Sequence, residues 1–418
     1  MRCHLLISAL AITMPAFATA SGKADPNPKS LEIPSEVALE ARSLVEKLAS
    51  KSYQVREQAS RELQKLGRLA LPAISEAFQN SFNPEVQLRT EMLLPSARTD
   101  DYRARIDCFL ADKEGKFDHQ LPGAKEFFAL TGQSDGARNL FRDIVLSPNR
   151  DLIFGVATPD QLPKLIAERR AEFIRSINGG GIVIINGVQQ NKNSLPTITD
   201  LAAIFFAEAM IPEKKLGGQV GYQAASLLNQ PTLKAAIAGG AEKEAILGII
   251  TKWVDTRDES MTMYYAMTYL KTTQPSMALK VATRMINAKG VQATYRGQAI
   301  VTLGQHGHPE HRESLVRLLK DETEVSPGIG IGIGVGAVAK RSPIQTRDLA
   351  LAMLLLATKQ DYAEYGLTFR YKSNASNESL KYNAMAYYFD GDDAAKKRED
   401  AFKKWDGWYE KNKETLKK

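Results

Sequence analysis

Cysteine is nearly missing from this chain of 418 residues: Cys3 and Cys108 are the whole supply. Cys3 lies in an N-terminal segment with a secretory pattern, so loss of that segment leaves Cys108 alone and excludes an intramolecular disulfide. No histidine neighbours Cys108, which reads as a small helix residue beside Ile106 and Phe109 and not as a nucleophile. Long apolar runs are also missing. None reaches the roughly 20 residues that a membrane helix needs, so no integral membrane segment is expected once the signal is removed. Neither sign of charge dominates: 55 Lys and Arg against 48 Asp and Glu give a formal charge of +7. The basic residues are spread along helices apart from a lysine-rich C-terminus, so no nucleic-acid partner is expected. The sequence has no GxSxG, HExxH, P-loop or EF-hand spacing. What remains is 44% hydrophobic and 25% charged residues, ordinary for a globular protein, in a chain too long for one ordinary core.

The residues that are present point to helices. Val55, Ala59, Leu63 and Leu66 recur at i, i+4, i+8 and i+11 and share one helix face. Gly67 ends that helix. A second helix carries Leu71, Ile74 and Phe78 inward with Pro72 in its first turn, and Asn83 before Pro84 caps a third. A further helix is expected from Asp100 to Ala111. The pattern returns later without a gap: Tyr295 to Leu303 aligns with Val55 to Leu63, with arginine, glutamine, alanine and leucine coinciding and Gly307 falling on Gly67. No such helix buries its apolar stripe alone; stacking the next pair on it does.

These features resemble HEAT-like repeats, although Val55 to Val86 is shorter than the usual ~40–47 residues. Three blocks, residues 55–74, 109–132 and 346–367, with the Trp405 and Trp408 ending, resemble secreted HEAT-like repeat proteins of the planctomycete type. The resemblance implies export and an all-α fold, an α-solenoid of helix pairs with one small non-repeat insertion and a Gly-rich loop. It carries no catalytic residues.

The expected layout follows. Residues 1–20 form a signal peptide, with Arg2 ahead of an apolar run from Leu5 to Ala18 and cleavage after Ala20, giving a secreted or periplasmic protein. Residues 21–34, with Pro26, Pro28 and Pro34, read as a disordered spacer. Helical repeats are expected over 35–178, an insertion with a small hairpin near Ile182 to Ile185 over 179–197, further repeats over 198–323, a Gly-rich loop over 324–345 and capping helices over 346–418. The tract from Gly328 to Gly336 is not a dinucleotide fingerprint, because Ile333 and Val335 stand where the third glycine belongs.

Two clusters are candidate sites. His306, His308 and His311 sit within one short turn and are the candidate metal ligands. The competing reading is a polar turn between helices, with His308 and His311 as caps. Trp405 and Trp408, followed by Tyr409, form an aromatic row that is either a binding surface or the anchor of the last helix. No catalytic residues and no cofactor are expected. The sequence reading is therefore a non-enzymatic exported scaffold for a protein or polymer partner. The alternatives are a metal- or polysaccharide-binding protein, or an enzyme or enzyme subunit using the histidine turn.

Overall fold

The computed structural model describes residues 24–178, 182–185, 188–191, 196–216, 220–326, 342–371 and 377–416. The expected signal peptide over residues 1–20 and the tract from Gly328 to Gly336 lie outside the described residues. The chain is mostly helical and divides into two compact units, residues 1–121 and 122–418.

In the first unit, α1 (Ser35–Lys47), α2 (Tyr53–Leu66), α3 (Leu71–Asn80) and α4 (Pro84–Ala111) pack around a common core. Ala41, Leu44, Leu48, Ala59, Leu63 and Ile74 form its centre. Asn83 caps α4 by accepting from the Glu85 N–H at 3.0 Å. Sequence reading expected two helices across Pro84–Ala111; there is one, running straight through Pro95. Pro95 and Glu91, whose carbonyl loses its partner, are both exposed, so water replaces the lost bond. The expected disordered spacer is also corrected. Residues Pro28–Leu31 form a 3₁₀ turn capped by Asn27, and Arg68 donates to the Leu31 carbonyl at 2.9 Å.

The second unit holds α5 (Ala124–Thr131), α6 (Asp135–Val145), α7 (Arg150–Phe154), α8 (Leu162–Asn178), α9 (Ile198–Ala209), α10 (Val220–Leu227), α11 (Pro231–Gly239) and α12 (Lys243–Asp255). It continues with α13 (Ser260–Leu270), α14 (Pro275–Asn287), α15 (Ala293–His306), α16 (Pro309–Leu318), α17 (Thr346–Ala357), α18 (Glu378–Lys381) and α19 (Ala394–Leu416). Successive helices pack pairwise: α13 on α14, α14 on α15, and α15 and α16 on α17. Two helices are buried on every side, α9 from Leu201 to Ala209 and α17 from Asp348 to Leu355. Their near-continuous apolar sequence leaves no polar face to meet water.

Among the described residues three antiparallel two-stranded ribbons interrupt the helices: β1 (Ile182–Ile185) with β2 (Val188–Asn191), β3 (Glu324–Ser326) with β4 (Ile344–Gln345), and β5 (Thr368–Phe369) with β6 (Tyr387–Tyr388). The first lies where a hairpin was expected. The last corrects the expectation of helices alone after residue 346. Its residues are threonine and aromatics, which suit a half-buried pleat better than a helix, and Tyr387 packs against Tyr362 and Phe369.

Candidate functional site: the cleft between α16 and α19

Helix α16 starts at Pro309, whose missing N–H costs nothing at the first helical position. Leu315 and Leu318 face the core and Val316 faces outward over α19. On α19, Arg398, Phe402, Trp405 and Tyr409 follow at i, i+4, i+7 and i+11 and share one face. Between the helices lies a cleft of about 870 Å³. Val316, Leu319, Ala395, Phe402 and Tyr409 give it an apolar lining. Lys320, Arg347, Lys403, Glu322, Glu399 and Glu410 bring charges of both signs. A second hollow of about 370 Å³ shares Val316 and Tyr409 and extends the surface to Pro309 and Lys413.

A buried ion pair fixes one wall. Arg398 donates from Nε and Nη2 to the two carboxylate oxygens of Asp348, both at 2.9 Å, and from Nη2 to the Pro343 carbonyl at 3.0 Å. Asp348 has no exposed surface, and burial pushes its carboxyl up despite the opposing pull of Arg398. Arg347 donates to Glu322 at 2.6 Å and to Gln345 at 2.8 Å, and lies over the Phe402 ring at 5.5 Å. Lys403 donates to Glu399 at 2.6 Å across one turn of α19.

The two sequence candidates flank this cleft in different ways. Trp405 is fully buried, with Trp408 at 5.1 Å and Tyr409 at 6.2 Å between ring centroids. Its indole Nε1 is buried without a hydrogen-bond partner. Trp408 is half-buried. His306 ends α15, half-buried, and its pKa is lowered by burial and then by the charge of Lys271. His308 precedes α16, and its backbone N–H donates to His311 Nδ1 at 3.0 Å. That bond makes His311 a capping partner at the start of α16. Among the described residues no three His, Cys, Asp or Glu side chains gather into a metal-holding group. Gly307 makes the turn: a Cβ there would meet the Leu303 carbonyl oxygen at 2.1 Å.

Two buried polar clusters had no sequence signal. In the second unit Glu208 accepts from Arg170 Nε at 2.5 Å and from Trp253 Nε1 at 2.7 Å. Arg257 donates to the Glu208 and Ile211 carbonyls, each at 2.8 Å. Burial lowers the Arg257 pKa. In the first unit Asp112 accepts from the Lys116 and Phe117 N–H groups at 3.0 and 2.9 Å and meets His119 Nε2 at 3.1 Å. These groups clamp backbone segments inside the fold. The signal for the cleft was present in the Arg398, Phe402, Trp405, Tyr409 spacing. The Asp348 partner, 50 residues earlier, was not locally marked.

No protein-family model, no curated protein and no solved structure matches the chain.

Proposed function

We propose that this chain is an exported, non-enzymatic interaction scaffold of HEAT-like helix pairs, and that the α16–α19 cleft docks an extended segment of a protein partner. The observation that carries the reading is the cleft's combination of an aromatic and aliphatic lining with charged residues of both signs. Stable protein interfaces have this anatomy, and their energy concentrates in buried aromatic and arginine anchors. Length favours a chain segment over a small molecule. From Ala395 to Lys413 the lined face of α19 rises by roughly 27 Å at ~1.5 Å per residue.

The repeat reading is supported by two arginines at aligned positions. Arg56 donates to the Ser50 carbonyl just before α2 and pairs with Glu85 on a following helix, each at 2.8 Å. Arg296 donates to the Ile286 carbonyl before α15 at 3.1 Å and pairs with Asp321 after α16 at 2.6 Å. One residue thus ties a helix start both backward and forward in each unit.

The test is recovery of the tagged protein from its native host, with co-purifying proteins identified by mass spectrometry. A Lys320→Glu, Lys403→Glu double variant removes two exposed cations from the cleft without touching its core. The expected result is a protein partner recovered with wild type and lost with the variant. The same proteins recovered in equal yield from both would overturn the assignment.

A further inference from the structure

The first unit has a hollow of its own, about 410 Å³ in volume. Helices α1 and α3 form its walls, and the start of α4 closes one side. Its floor is apolar: Ala73 and Val86 are buried, and Val45 and Ala77 are half-buried against the core. Arg42, Glu46 and Glu76 stand on the rim. Arg42 and Glu76 approach only to 3.9 Å, both side chains are mostly exposed, and Glu46 is exposed too.

Beside this hollow stands Phe82, which is 100% exposed. It sits in the turn between α3 and α4, between Ser81 and Asn83, and both of those neighbours line the hollow. The turn is pinned on both sides. Asn83 accepts from the Glu85 N–H at 3.0 Å, and Gln87 donates to the Ser81 carbonyl at 2.7 Å. Phe82 is thus held at the rim, where water gains nothing from its ring. A knob and a hollow side by side on one surface are self-complementary. A two-fold axis beside the turn places each ring in the hollow of the other copy. The rim charges have the same property, because both signs are present and Arg42 of one copy can face Glu46 of the other.

We propose that the occupant of this hollow is a second copy of the chain, in a reversible two-fold dimer that exchanges Phe82 between α1–α3 hollows. Two exchanged rings and the walls they cover remove roughly 600–1,000 Å² from water. A standard stable interface takes ~1,200–2,000 Å². The dimer is therefore weak and forms at micromolar concentrations and above.

The experiment is sedimentation velocity of the full chain over a series of concentrations. Wild type is expected to show a monomer–dimer equilibrium, weakened at least about tenfold by Phe82→Ala with no change in melting temperature. Ala77→Leu fills the hollow and is expected to weaken the dimer to a similar degree. If it also lowers the melting temperature, Ala49→Leu, at an exposed position lining the same hollow, replaces it. Mixing the variants tests the exchange itself. The Phe82→Ala copy keeps an open hollow and the Ala77→Leu copy keeps its ring, so the mixture is expected to form more dimer than either variant alone. A chain that stays monomeric at every concentration, whether or not Phe82 captures a different host protein, would overturn the proposal. So would a dimer indifferent to Phe82→Ala, a mixture no better than its parts, or growth into open-ended assemblies.

Discussion

Glu208 has no exposed surface, yet its carboxylate holds Arg170 on α8 and Trp253 on α12, and Arg257 holds the carbonyl of the same residue. Replacing such a buried group strands its partners in a medium that cannot solvate them. Glu208→Ala is expected to cost about 3–5 kcal/mol, the range for breaking a buried ion pair, measured by urea unfolding of the full chain. A loss below about 1 kcal/mol would mean that the cluster contributes little. His306 gives a pH-dependent counterpart. Its folded pKa lies below the ordinary value of 6.5 because burial and Lys271 both disfavour the imidazolium. The unfolded chain therefore binds the proton more readily, and stability falls as the pH drops through the unfolded pKa toward the folded one. His306→Gln is expected to lose less stability than wild type when melting temperatures at pH 7.5 and pH 5.5 are compared. An equal acid loss in the two proteins would contradict this.

At the scale of elements, the aligned arginines carry a shared prediction. Arg296→Ala and Asp321→Ala are each expected to destabilise by about 1–3 kcal/mol, because a charged hydrogen bond between helix ends is lost. The double-mutant cycle should return a coupling above about 0.5 kcal/mol, and strict additivity would contradict the tie. These elements also show what sequence pattern reveals. The stripe of α2 is legible: Ala59 and Leu63 are buried and Leu66 packs on the core, while Val55 in the first turn stays exposed. Phe78 on α3 is exposed for a similar reason, near the far end of its helix. The aligned glycines share a position but not a cause. Gly67 has a positive φ of 53°, whereas Gly307 has φ −71° and is held by close backbone approach. The helix expected from Asp100 to Ala111 is the second part of α4, which continues through the exposed Pro95. The pairing of β5 with β6 joins residues about twenty apart, and no local period marks it. In the cleft, the spacing along α19 was readable, but Asp348 and Arg398 meet only through the fold.

Across the whole molecule, the described residues hold two compact units and no helix long and apolar enough to cross a membrane. The core cluster of the first unit draws on residues from Ala41 to Ala97 alone. Residues 24–121, expressed by themselves, are therefore expected to melt in one cooperative helical transition, as small single domains usually do. A broad, featureless melt followed by circular dichroism would show that this core is insufficient. The proposed function at this scale rests on the α16–α19 cleft. The most direct measurement places a photo-crosslinking residue at Glu399, on the cleft, and separately at Arg42, in the first unit, and maps the adducts formed in the native host. Docking in the cleft predicts a discrete polypeptide adduct from position 399, mapping to one segment of the partner and missing from position 42. Adducts that are the same from both positions, or none from position 399, would contradict it.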